Sequence, residues 1–136
     1  MLTIARDVYE KIIAHARADH PDEACGMVVG PEGSDRPERL IPMTNIERSP
    51  TFHRFDPDEL KRVHNEMWQR DEDAVVFYHS HTMTEARPSR TDISEMSEYL
   101  SPYHIVVVST RDPEEAEFRS FRLVDGEVRE EPVTVE

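Results

Sequence analysis

Only one cysteine, Cys25, is present, so no disulfide can form within the chain and no thiolate-rich metal centre can be built from it. That count agrees with a reducing compartment. Four glycines among 136 residues exclude a collagen-like or linker-like chain. Long apolar runs are absent too. The longest, Ala24 to Gly30, falls far short of the roughly 20 residues that cross a bilayer. The start Met1-Leu2-Thr3-Ile4-Ala5-Arg6-Asp7 lacks a basic segment followed by an apolar one. No membrane association is expected, and a cytoplasmic location is. Positive charge is scarce: 16 Lys and Arg against 29 Asp and Glu give a net charge of −13. Such a surface repels a phosphate backbone, so nucleic acid is not an expected partner. No repeat, low-complexity tract or linker interrupts the chain, and its length suits one domain over residues 1–136.

The residues that are present follow clear periods. Val8, Ile12, Ile13 and Ala16 share one helical face between Arg6 and Asp19, and His20-Pro21 ends that segment. Ala24 to Gly30 has the continuous apolar pattern of a strand buried on both faces, with Glu23 at its entrance. A second strand is expected from Arg39 to Met43, then an irregular stretch from Asn45 to His53. Asp56-Pro57-Asp58-Glu59 combines an N-cap, a proline at the first helical position and an acid at the third, after which Leu60, Val63 and Met67 share a face. Ala74 to Tyr78 reads as a strand that delivers His79-Ser80-His81 at its far end. Ser89 and Asp92 suit the cap of a third helix, with Ile93, Met96 and Leu100 on one side and an end near Ser101-Pro102. Ile105 to Val108 form another buried strand. Phe118 to Val124, the Asp125-Gly126 turn and Glu127 to Val133 read as a hairpin. The mixed order predicts an α+β (mixed α/β) architecture and not a strictly parallel doubly wound sheet.

Residues i and i+2 of a strand point to the same face, so the imidazoles of His79 and His81 can converge on one ion while Ser80 points away. With seven histidines in the chain, a His-x-His pair arises by chance about 0.36 times, so the pair alone decides little. Adding Ser89 and Asp92 at their positions lowers that expectation to about 0.002. Two imidazoles and one carboxylate leave a fourth tetrahedral position open, the ligand count of a catalytic and not a structural zinc. Nitrogen and oxygen donors admit other divalent ions as well. Water activated there needs a base that is not itself a ligand. Glu23 is of the right type, although spacing does not select it among the other glutamates.

The string His79-Ser80-His81, seven residues, Ser89, two residues, Asp92, with an upstream glutamate at Glu23, resembles the signature of the JAMM (MPN+) metallopeptidases at every motif position. Asn45, Ser49-Pro50, Phe52 and Asp56-Pro57 are similar to that family's middle segment. The short length and the stretches Asp19 to Gly26, Ile41 to Asn45 and Ser49 to Phe52 resemble its bacterial members that release cysteine from a ubiquitin-like sulfur-carrier protein. The resemblance implies a single JAMM/MPN domain with a cytidine-deaminase-like mixed sheet flanked by helices. It implies one zinc ion per chain on His79, His81 and Asp92, with Glu23 as general base and acid and Ser89 assisting at the oxyanion. The reaction implied is hydrolysis of the amide between the carrier's C-terminal Gly-Gly and a cysteine, in cysteine biosynthesis, with the tail extended along a sheet edge. A homodimer is compatible with it. An isopeptidase for another ubiquitin-like conjugate is the alternative. A non-catalytic MPN scaffold usually lacks one or more metal ligands, and none is missing here. A zinc nucleobase deaminase needs a Pro-Cys-x-x-Cys element, which one cysteine cannot supply.

The remaining candidates read as structural. Cys25 is expected to be a buried small hydrophobe and not a nucleophile. His15, His20, His53, His64 and His104 have no partner spacing and are expected in structural or surface roles. Met67 and Trp68 are expected to pack. Arg48, Arg54, Arg87 and Arg90 flank the motif segments and could meet a carboxylate, although solvated arginines are the simpler reading. The acidic stretch from Asp112 to Glu136 reads as a solubilising surface.

Overall fold

A computed structural model describes residues 1–95 and 102–136. The chain runs β1 (Leu2–Ile4), α1 (Arg6–Asp19), β2 (Cys25–Pro31), β3 (Arg39–Met43), α2 (Pro57–Gln69), β4 (Glu72–His81), α3 (Arg90–Glu95), β5 (His104–Ser109), β6 (Glu117–Val124), β7 (Glu127–Glu131) and β8 (Val133–Val135). Six strands form one sheet in the order β3-β2-β4-β5-β6-β7, while β1 pairs in parallel with β8. Within the six-stranded sheet only β4 and β5 run parallel. A parallel pair needs a long crossover, and the one between β4 and β5 carries α3.

The continuous apolar character of β2 and β5 follows from helices and loops covering both faces of the sheet. On one face Val8, Ile12 and Ala16 of α1 bury against Val28, Val76, Tyr78, Val106 and Val108. The alternate residues Met27, Val29 and Phe77 meet Leu60, Val63 and Met67 of α2 on the other. Each aliphatic side chain buried in this way contributes roughly 1.5–3 kcal/mol. The Asp56 carboxylate caps α2 by accepting the Asp58 N–H at 2.9 Å. Gly26 is required by close approach, since a Cβ there would overlap the Tyr78 ring, whose hydroxyl bonds to His15 Nδ1 at 2.7 Å.

Several boundaries differ from expectation. β4 begins at Glu72 and contains both histidines, which are therefore held by the sheet ladder and not by a loop. The hairpin's return strand stops at Glu131. Pro132 has no N–H to give the ladder, its carbonyl accepts the Leu2 N–H at 2.9 Å, and Val133–Val135 leave to pair with β1. Met67 is buried, but Trp68 is 84% exposed, contrary to the packing expected of it. Neighbouring helical residues point about 100° apart, so turning Leu60, Val63 and Met67 to the sheet turns Trp68 to solvent. Ile93 is exposed, not packed, because α3 is oriented by the contacts of Asp92. Met96 and Leu100 lie outside the described residues.

His104 is fully buried and structural: Nδ1 meets Glu131 Oε2 at 2.6 Å and Nε2 meets Asp35 Oδ1 at 2.8 Å. Burial would raise the Glu131 carboxyl, but its bonds to His104 and Ser120 outweigh that and hold it at about 2, below its ordinary 4.5. A carboxylate depressed in the folded state stabilises it above the unfolded value and loses that contribution as pH falls toward the folded one. The urea midpoint is therefore expected to fall between about pH 4.5 and 2, and less steeply in Glu131→Gln. Equal slopes would remove this network from the acid response.

Candidate metal centre

The strand period places His79 and His81 on the same face as Phe77, and both are buried at the end of β4. Ser80 points the other way. Its Oγ accepts the Ala24 N–H at 2.7 Å and its N–H donates to the Ala24 carbonyl at 2.9 Å, which ties the entrance of β2 to the histidine strand. The third group arrives from the start of α3. There the Ser89 N–H donates to Asp92 Oδ2 at 2.8 Å and the Asp92 N–H donates to Ser89 Oγ at 3.0 Å, a reciprocal cap.

Asp92 Oδ2 lies 3.0 Å from both His79 Nε2 and His81 Nε2. His81 Nδ1 faces the Glu85 carbonyl at 2.9 Å. A carbonyl only accepts, so Nδ1 carries the proton, and in the neutral ring the Nε2 lone pair points at a carboxylate lone pair. A positive charge between them resolves the conflict, supplied either by a proton on Nε2 or by a bound metal ion. The edge of a tetrahedral zinc site with ligands near 2.0–2.1 Å is about 3.3 Å, close to the separations here. The donor set therefore fits a zinc-type ion. In the metal-free chain the imidazoles and Asp92 share a proton in that place. Burial would raise the Asp92 carboxyl, but the bonds from His79, His81 and the Ser89 N–H outweigh it and hold it well below the usual carboxylate range. Burial lowers His79. It also opposes charge on His81, yet the bonds to Asp92 and the Glu85 carbonyl leave that ring raised.

Glu23 reaches the same place from the entrance of β2. Its N–H donates to the Ser49 carbonyl at 2.8 Å and its own carbonyl accepts from Asn45 Nδ2 at 3.0 Å. The side chain is buried, 4% exposed, with Oε1 2.9 Å from His53 Nδ1. Ligand atoms of Glu23, His53 and His79 lie within 4.8 Å of one another. All five expected site residues are thus gathered at one end of the sheet. A cleft of about 540 Å³ opens beside them, lined by Phe52, Phe55, Leu60 and Phe77 together with His79 and Asp92.

Residues 5–124 match the family described as prokaryotic homologs of the JAB domain. The chain belongs to that family. Its members are metallohydrolases, in agreement with the JAMM/MPN resemblance carried by the motif. The chain is 59% identical over 135 residues to the CysO-cysteine peptidase of Mycobacterium tuberculosis, covering 99% of this chain and 91% of that protein. It is 32% identical over 96 residues to the desampylase of Haloferax volcanii, covering 67% and 69%. The solution structure of protein DSY2949 from Desulfitobacterium hafniense superimposes with a TM-score of 0.85 at 29% identity, covering 100% of this chain and 93% of that one.

The other residues of this JAB domain divide as follows. Cys25 is buried, and burial followed by the charge of Asp19 pushes its thiol up to about 12, which suits a packed hydrophobe. His20 Nδ1 bonds Thr110 Oγ1 at 2.7 Å, a structural contact. Arg54 is engaged by Glu47, with Nε at 3.0 Å from its carboxylate. His53 is not the unpartnered histidine its spacing suggested, since it lies between Glu23 and His79. Its neighbours in sequence, Phe52 and Arg54, gave no sign of this, because both partners are more than twenty positions away.

Proposed function

We propose that residues 1–136 act as one metallopeptidase domain that hydrolyses the amide bond between the C-terminal Gly-Gly of a ubiquitin-like sulfur-carrier protein and an appended cysteine. The observation that carries the reading is the convergence of His79 Nε2, His81 Nε2 and Asp92 Oδ2 in an arrangement that fits a zinc-type ion, beside a buried Glu23 carboxylate. Similarity over nearly the whole chain to the CysO-cysteine peptidase supports the substrate. A cytoplasmic setting agrees with the single cysteine.

His79, His81 and Asp92 would hold one zinc ion, and Glu23 and Ser89 act without binding it. Bound there, zinc supplies Lewis acidity, which makes water a competent nucleophile near neutral pH. Glu23 accepts a proton from the attacking water and returns it to the departing cysteine amine, a transfer its burial protects from bulk exchange. Ser89 Oγ already accepts the Asp92 N–H, which leaves the hydroxyl proton free to donate to the developing oxyanion. One such donor is worth roughly 3–4 kcal/mol. The apolar cleft offers the carrier tail a path to the reacting bond.

Intact-mass analysis of a carrier ending in Gly-Gly-Cys, incubated with zinc-loaded enzyme, is expected to show loss of one cysteine residue. An unchanged carrier mass with one zinc bound per chain would overturn this substrate and turn the search to other ubiquitin-like tails and isopeptide linkages.

A further inference from the structure

We propose that His53 is the positioning residue for the Glu23 carboxylate. The inference rests on the role given to Glu23 above and adds the group that aims it. A glutamate side chain has three rotatable bonds, and the entropy of holding its carboxylate in one place must be met by a contact. That contact is the 2.9 Å bond between His53 Nδ1 and Glu23 Oε1. An ionised carboxylate only accepts, so His53 donates from Nδ1, and Oε2 is left to exchange protons with water and leaving group. The His53 ring is itself held: it stacks on His79 with centroids 4.4 Å apart and planes 19° from parallel.

One buried side chain fixes both partners. Asn45 Nδ2 donates to the Glu23 carbonyl and to the Phe52 carbonyl, each at 3.0 Å. Asn45 Oδ1 accepts the Arg54 N–H at 3.1 Å. The backbone on either side of His53 and the backbone of Glu23 are thus clamped to the same amide, and the distance between the two side chains is set before any substrate arrives. A misplacement of about 1 Å can cost on the order of 100-fold in rate, which is the scale of what His53 protects.

The test separates the bond from the stack. His53→Phe keeps a flat ring against His79 and removes the donor, whereas His53→Asn removes the ring and offers an amide N–H to Glu23. With the Gly-Gly-Cys carrier, His53→Phe is expected to keep one zinc per chain and the wild-type KM while kcat falls about 30–100-fold. His53→Asn is expected to recover at least about tenfold of that loss. A His53→Phe enzyme within threefold of wild type, an asparagine variant as impaired as the phenylalanine one, or loss of zinc from His53→Phe would each overturn the proposal. The last outcome would make His53 a ligand. Long-range proton–nitrogen NMR of the imidazole gives a reading that needs no substrate. His53 should be the Nδ1–H tautomer in the zinc-loaded protein and revert to Nε2–H in Glu23→Ala. An Nε2–H tautomer in the unmodified protein would overturn the proposal even if the carrier assignment itself had failed.

Discussion

Glu23→Gln is expected to bind one zinc per chain and to lose turnover by about 10²–10⁴-fold, the range for removing a positioned general acid–base group. The substitution is nearly isosteric. The backbone of residue 23 stays pinned through the Ser49 carbonyl and Asn45 Nδ2, and a glutamine oxygen can still accept from His53. Burial, packing and the three ligand atoms are therefore preserved, and the change isolates the ability to carry a proton. An amide cannot take one from water at neutral pH, nor return it to an amine. Elemental analysis and release of cysteine from the carrier, measured on the same preparation, give the two numbers needed. Zinc lost together with activity would make Glu23 a ligand, and activity retained would place the base elsewhere.

The parts of this architecture that could be read from the residues are those where a local period or cap dictates the outcome. The α1 face of Val8, Ile12 and Ala16, the Asp56-Pro57 start of α2 and the Asp125-Gly126 turn all appear where expected. His79 and His81 converge because strand geometry leaves them no alternative, and Ser89 with Asp92 because a cap brings the two together. What local patterns could not carry is anything decided by distant partners. The exit of Val133 toward β1 depends on a pairing with the other end of the chain. The exposure of Trp68 depends on which face of α2 the sheet claims. His53 meets Glu23 and His79 because a loop clamped by Asn45 brings it to them. Asn45 and Ser80 show the same limit, since the family resemblance marks both positions but what each holds is visible only once its backbone partners across the fold are known.

Asp92→Asn is expected to abolish zinc binding and, with it, activity. In the folded chain one oxygen, Asp92 Oδ2, serves His79 Nε2, His81 Nε2 and the Ser89 N–H at once. Asparagine keeps the shape and can keep the cap through its carbonyl, but it removes the negative charge that lies 3.0 Å from both imidazoles. Two neutral rings and an amide oxygen make a much weaker site, and affinity should fall by at least about 100-fold, since loss of an outer-shell partner alone costs 10–100-fold. Thermal denaturation with and without zinc reads this directly. A ligand at 100 times its Kd stabilises the folded state by about 2.7 kcal/mol, so the wild-type Tm should rise by several degrees on adding zinc. The Asp92→Asn Tm should stay where it is. The metal-free variant should still fold, because none of the three core clusters of the described residues includes Asp92. A variant that kept the zinc-dependent rise in Tm and cleaved the carrier at the wild-type rate would reduce Asp92 to a helix cap and take the metal centre away from this end of the sheet.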